Sequence, residues 1–335
     1  MVFLIQQTLA YAVPLMIVAL AGVFAERSGI INLALEGIMI FGAFVGVQFV
    51  KIMQEKEAFT VEQGQLLLLV TLLVCAVAGA LFSLLLSFSA IKLKADQTLG
   101  GTALNMLAPA LVLFLINVVA KQNILRIPGS SAKWFMIKKS TLGIPGDKDI
   151  GFFGEIFLNK VYISTYICII AFIVLSIILY KTKFGLRLRA CGENPQAADS
   201  LGINVYKMRY TGTTISGALA GVGGFVYALG AAGCSASGEV AGFGFLALAV
   251  MIFGNWNPGN IAVSALLFGL FKCIAASYSS IDINGDGVYL LANIGISSHV
   301  YRLLPYLITI IVLAFTSKKS RAPKAEGIPY DKGER

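Results

Sequence analysis

Long apolar runs separated by short polar punctuation dominate the chain. Residues 2–24, 30–50, 66–90, 99–120 and 161–180 precede a polar, basic stretch at 181–209, and residues 210–232, 243–254, 261–278 and 300–315 follow it. A helix needs about 20 largely apolar residues to cross a bilayer. The pattern therefore predicts an all-α, polytopic integral membrane protein with about nine transmembrane helices. The run 243–254 reaches that length only if Val240 and its neighbours extend it. Residues 1–316 read as one transmembrane domain and 317–335 as a cytoplasmic basic tail. Residues 2–24 lack a basic leader and a small-residue cleavage site, which predicts a retained span rather than a signal peptide.

The stretch 181–209 fixes orientation. It carries Lys181, Lys183, Arg187, Arg189, Lys207 and Arg209, and basic loops face the cytoplasm. Counting outward from it puts 25–29, 91–97, 255–260 and the tail inside. The N-terminus, the long loop 121–160 and the segment 279–299 fall outside. The long loop carries several lysines against the trend, but long loops are weaker topogenic signals, and Trp134 and Phe135 suit an interface. Part of that loop is expected to lie flat on the outer surface. Within 181–209, Asn194 fits a helix cap, Pro195 the first helical position, Gln196 to Leu201 a helix of about two turns, and Gly202 its stop. So short a helix needs a partner to lie against.

Composition agrees with the pattern: 57% of residues are hydrophobic and 13% charged, with a mean hydropathy of +0.82, whereas soluble domains are about one-quarter charged. The formal net charge of +9 sits in loops and tail, which suits an inner membrane face and its lipids rather than nucleic acid. Cys75, Cys168, Cys191, Cys234 and Cys273 form no CxxC pair and read as small buried residues. One histidine, His299, is too few for a histidine-based metal cluster. The sequence has no P-loop, no GxSxG and no HExxH, so no catalytic constellation emerges and no metal or cofactor site is expected. Gly42 with Gly46, and Gly217 with Gly221, followed by Gly223 and Gly224, are spaced for close helix packing.

Several polar residues lie in or beside the spans. Glu26, Arg27, Asn32 and Glu36 flank the start of the second run. Glu36 fits either an ion pair or gate at the inner mouth, or a charge that snorkels from a helix end. Asp96 and Gln97 open the fourth run, and Thr98, Thr102 and Asn105 share one helical face. That stripe suits interhelical hydrogen bonds or the lining of a translocation path. The run Asp282-Ile-Asn284-Gly-Asp286-Gly287 looks like the start of a calcium loop, but position twelve would be Asn293 where a bidentate glutamate is needed.

Four segments complete the picture: ERSGIINLALEGIMIFGAFVG (26–46), ADQTLGGTALNMLAPAL (95–111), FGLRLRACGENPQAADSLGINV (184–205) and GFGFLALAVMIFGNWNPGN (242–260). In this order they resemble the permease subunits of ABC importers for branched-chain amino acids, simple sugars and nucleosides. The E-R-S-G-x-x-N-L-x-L-E-G form, and the tail 322–335, look most like the nucleoside type. The resemblance implies a transporter subunit rather than an enzyme, in a bacterial cell membrane, forming half of a translocation path. It implies that Gly192, Glu193, Asn194, Pro195, Ala197 and Ala198 form the contact with an ATP-binding subunit, which would hold ATP and magnesium. Arg187 and Arg189 would then steer an acidic partner surface or anchor lipid headgroups. It further implies a second permease subunit in a heterodimer and an extracytoplasmic nucleoside-binding protein. Asn32, Glu36, Thr98, Thr102 and Asn105 are the candidates for the substrate path. Ribose or galactose, riboflavin and branched-chain amino acids remain alternative cargoes.

Overall fold

The computed structural model describes residues 2–128, 133–137, 139, 145, 150–279, 297–316 and 321–333. Helices follow the apolar runs. In chain order they are α1 (Val2–Glu26), α2 (Leu35–Glu55), α3 (Gly64–Ile91), α4 (Gln97–Ala120) and α5 (Gly151–Leu158). Next come α6 (Ile163–Lys181), α7 (Lys183–Glu193), α8 (Pro195–Ser200) and α9 (Val205–Gly230). The last three are α10 (Phe243–Phe253), α11 (Pro258–Ser277) and α12 (Ser298–Thr316). Among the described residues, seven helices are long and apolar enough to cross a membrane: α1, α2, α3, α4, α6, α9 and α11. The last predicted run coincides with the 19-residue α12. The run at 243–254 does not reach spanning length. Ala241 and Gly242 adopt left-handed φ of 50° and 74°, which stops the helix from extending backward through Val240. The 11 residues of α10 cover only about 16 Å at the rise of an α-helix.

Helix α9 is the central post, buried along most of its length against α1, α2 and α3. Small residues set that packing. A Cβ at Gly42 would overlap the Gly221 carbonyl, one at Gly221 the Cys75 carbonyl, and one at Gly224 the Met39 carbonyl. Backbones in contact let van der Waals forces hold helices where no water drives association. Ser87 and Thr213 add a buried hydroxyl–hydroxyl hydrogen bond between α3 and α9. Helices α4, α6 and α11 form an outer layer and leave apolar faces uncovered, such as Leu99, Met106, Ile170 and Val263. All five cysteines are free and buried.

Contacts sort the connections into two sets, as the charge pattern predicts. On one face the 25–29 corner, the 91–97 turn, the 181–209 stretch, the 254–257 turn and the tail meet one another. On the other face, two short ribbons (β1, Leu125–Arg126, with β4, Ser235–Ala236; β2, Met136–Ile137, with β3, Val161–Tyr162) tie the long loop down. Gln6 of α1 donates to the Glu155 and Asn159 carbonyls there, at 2.9 and 2.7 Å. Helix α5, within the long loop, leaves Phe152, Phe153 and Phe157 exposed. The calcium-like run 282–287 lies outside the described residues.

Candidate translocation site and coupling surface

Two helices begin in the interior of the bundle rather than at its faces. After α1 the chain runs as non-helical backbone through 27–34 before α2 starts. Asn32, fully buried, holds this segment: its Nδ2 donates to Ser216 Oγ at 2.8 Å, and its Oδ1 accepts from Ala34 N at 3.1 Å. Ser216 is 11 residues into α9, about 16 Å from its N-terminal end. Exposed backbone polar groups at such depth need internal partners. Asn105 of α4 supplies them for the start of α2: its Oδ1 accepts from Gly37 N at 2.8 Å and its Nδ2 donates to Leu33 O at 2.7 Å.

Helix α10 is the second broken element. Its start is capped by Glu36, whose two carboxylate oxygens accept from Gly242 N at 2.9 Å and Gly244 N at 2.6 Å. Of the uses read from sequence, snorkelling does not fit, because Glu36 is 8% exposed; its hydrogen bonds go to backbone amides, and Lys272 is the cation whose charge acts on it. A carboxylate at a helix N-terminus satisfies orphan donors and faces the positive end of the dipole. The segment leading into α10 holds Cys234 and Ala241 in the left-handed region, a conformation that a non-glycine residue keeps only where surrounding structure enforces it.

Two cavities flank this segment. One, of about 430 Å³, is lined by Glu36, Thr102, Asn105, Pro109, Glu239 and Phe245 among others. The second, of about 570 Å³, is lined by Tyr11, Tyr227, Glu239, Phe243 and Lys272. Glu239 borders both. The structure thus brings together three of the five residues assigned to a path, Glu36, Thr102 and Asn105. Thr98 is exposed near the start of α4, its amide capped by Asp96 at 2.8 Å, and buried Asn32 lines neither cavity. Thr102 Oγ1 donates within its own helix, to Thr98 O at 2.9 Å and Leu99 O at 3.0 Å. Lys272 and Glu239 escaped the sequence reading. Lys272 sits inside α11, donates to Ala241 O at 3.2 Å and lies 5.2 Å from the centre of the Phe243 ring. The signal for it was present, a lone cation in an apolar run.

The stretch 181–209 folds as two helices, of which only the second was anticipated. Thr182 caps α7 by accepting from Gly185 N at 3.3 Å. Asn194 caps α8 by accepting from Ala197 N at 3.0 Å, Pro195 opens it, and Gly202 follows it at φ 79°. The six residues assigned to a contact are unevenly exposed, with Pro195 half-buried. Glu193, Asn194 and Ala197 are exposed, whereas Gly192 and Ala198 are buried. Gly192 lies so close to the Arg27 carbonyl that a Cβ would overlap it. Glu193 is paired with Arg27 at 3.3 Å, which ties the start of α8 to the inner end of α1. Arg189 lies over the Tyr180 ring at 5.0 Å.

A bundle of apolar helices with two helix starts at depth, cavities beside them and a capped polar helix on one face defines a membrane permease. The family model described as "Branched-chain amino acid transport system / permease component" matches residues 4–313, and the chain belongs to that family. It is 42% identical over 334 residues to the guanosine ABC transporter permease protein NupQ of Bacillus subtilis, covering 99% of this chain and 97% of that one. It is 40% identical over 329 residues to the nucleoside ABC transporter permease protein NupC of Lactococcus lactis, covering 98% and 96%. A more distant relative from the same Lactococcus strain, the nucleoside ABC transporter permease protein NupB, is 25% identical over 281 residues, covering 80% and 71%. No solved structure matches the chain. The chain is a transporter subunit rather than an enzyme.

Proposed function

We propose that this chain is the permease subunit of an ATP-driven nucleoside importer in a bacterial cell membrane. Its cargo passes beside the Glu36-capped start of α10. The observation that carries the reading is the state of that helix end. Broken-helix N-termini at membrane depth are natural seats for anionic groups of a substrate. Here the seat is filled by the protein's own carboxylate. A branched-chain amino acid would bring a carboxylate to a position already occupied. A neutral nucleoside needs only scattered neutral contacts and apolar surface, as Thr102, Asn105, Pro109 and Phe245 offer. The names of the full-length relatives NupQ and NupC support the same cargo.

Energy enters through α8. Its exposed Asn194, Gln196 and Ala197 meet an ATP-binding subunit, which holds ATP and magnesium. Buried Gly192 and Ala198 anchor the helix to the membrane domain. The two differently named nucleoside permeases of one Lactococcus strain support a heterodimer in which this chain is one of two partners. An extracytoplasmic nucleoside-binding protein delivers the cargo at the opposite face.

The test is uptake of labelled guanosine by proteoliposomes containing both permeases, the ATP-binding subunit and the binding protein. ATP-dependent uptake blocked by excess nucleosides, and unaffected by ribose, galactose, riboflavin or leucine, is the expected result. Competition by leucine or by a free sugar instead would reassign the cargo. Failure of the ATP-binding subunit to copurify would remove the ATP-driven reading.

A further inference from the structure

The C-terminal segment 321–333 is not a loose basic tail. It runs across one face and touches α7, α8, α9 and the turns at 25–29, 91–97 and 254–257. Its first residue donates its backbone N–H to Asn255 Oδ1 at 2.7 Å, reaching the turn between α10 and α11. Ala325 N donates to Gly192 O at 2.9 Å, and Gly327 N to Gly29 O at 3.3 Å. Arg209 of α9, 1% exposed, donates to Ile328 O at 2.9 Å. The Tyr330 ring is buried with Cys191 of α7, Ala198 of α8 and Val205 of α9, and lies 5.3 Å from the Tyr206 ring. Asp331 is paired with Lys94 of the α3–α4 turn, and Lys332 with Asp199 of α8 at 3.9 Å.

The geometry of these contacts matters more than their number. This segment links α8 to the ends of α1 and α4, beside the Arg27–Glu193 pair and the close approach of Gly192 to Arg27 at the end of α7. The segment grips α8 on one side, through Tyr330 on Ala198 and Lys332 on Asp199. On the other it bonds to Gly29, within the non-helical stretch leading to Asn32 and Glu36. A displacement of α8 therefore reaches, through the six residues from Gly327 to Lys332, the segment that ends at the capped start of α10. Coupling between distant sites needs a continuous set of packed contacts whose arrangement both sites bias.

We propose that residues 321–333 act as a strap that transmits movement of α8 to the Gly29–Glu36 segment, with Tyr330 as its main positioning residue. The proposal rests on the reading of α8 as the contact for an ATP-binding subunit. The strap does not bind cargo or nucleotide. It sets how much cargo moves for each ATP consumed.

The experiment uses the assembled transporter in proteoliposomes. Three forms of this chain are compared with the wild type: Tyr330→Ala, Tyr330→Phe and a chain ending at Ser320. Guanosine uptake and ATP hydrolysis are measured on the same vesicles. Maleimide addition at Cys191, which lies buried beside Tyr330 and whose thiol burial pushes up to about 11, reports whether the strap has lifted. In Tyr330→Ala and the shortened chain, the ATP-binding subunit stays bound, hydrolysis continues and Cys191 becomes reactive. Uptake per ATP falls about tenfold, within the range of known site-to-site couplings, and Tyr330→Phe restores it. An unchanged ratio with a reactive Cys191 would overturn the proposal. So would uptake and hydrolysis falling in proportion, because the strap would then only hold the docking surface together. Loss of assembly in Tyr330→Ala, with Tyr330→Phe intact, would make the ring a folding element and would equally overturn it. A wild type without ATP-dependent uptake would instead remove the reading of function, before any variant is compared.

Discussion

Glu36 offers the sharpest perturbation of the site. Its carboxylate accepts two amide hydrogen bonds at the start of α10, and the first turn of that helix lies against the first turn of α2, where a Cβ at Gly244 would overlap the Glu36 amide. Glu36→Ala removes both bonds. Bonds to a charged group are worth about 1.5–3 kcal/mol each, which sets an upper range of about 3–6 kcal/mol. Interhelical bonds measured within membranes average only about 0.6 kcal/mol. The adjoining cavity can also admit water to the freed amides, so an intermediate loss of about 2–4 kcal/mol is expected. Glu36→Gln keeps one accepting oxygen and turns an NH2 group toward the other amide, for about half that loss. The assay is thermal unfolding of the purified complex, with guanosine uptake measured at equal protein. The expected order of stability is wild type, Gln, Ala, with uptake falling further than stability because the segment leading into α10 loses its anchor. Equal losses for Gln and Ala would show that the charge matters through Lys272 rather than through the amides. An Ala variant with unchanged melting and uptake would refute the capping argument outright.

Asn105→Leu should lower stability by about 1–3 kcal/mol, since Gly37 N and Leu33 O both lose their partner. A variant that melts like the wild type yet transports slowly would return Asn105 to a purely path-lining role. Gly224→Ala should cost about 1–3 kcal/mol by forcing α9 away from the Met39 carbonyl, seen as a lower melting temperature; no change would mean that the α2–α9 contact yields easily. For Glu326 in the strap, burial pushes the carboxyl from an ordinary 4.5 up to about 7, against the opposing pull of Arg27. The docked strap thus holds the proton more tightly than a free one. Strap stability should be greatest below about pH 4.5, fall as the pH rises, and level off above about 7. Glu326→Gln should match the wild type at low pH and melt higher at pH 8; parallel curves across that range would contradict the assignment.

The apolar runs made most of the fold legible, because bilayer thickness imposes a length that any sequence must display. Asn194, Pro195 and Gly202 marked α8 for the same kind of reason, since caps act over three or four residues. What stayed hidden depended on contacts across the chain. Glu36 and Gly242 are about 200 residues apart, and no local pattern says that one caps the other. Asn105 carried two readings because a polar stripe looks the same whether it lines a cavity or clamps a neighbour, and here it does both. Phe243–Phe253 was ambiguous in length until Ala241 and Gly242 were seen in left-handed conformation. The basic tail was misleading in a different way. Its charges suggested a cytoplasmic tail suited to the inner membrane face, while its few apolar and backbone groups, Ala325, Ile328 and Tyr330, place it against α7, α8 and α9.

The entry of energy at α8 is tested most directly at Ala197. This side chain is exposed and its residue contributes to the fold chiefly through backbone bonds to Asn194 and Leu201, so Ala197→Trp changes the docking surface while leaving buried contacts in place. The measurement is ATP-dependent guanosine uptake by proteoliposomes carrying the variant, at equal amounts of folded permease. Loss of uptake with an unaltered melting temperature is the predicted result. Uptake at the wild-type rate would contradict the account.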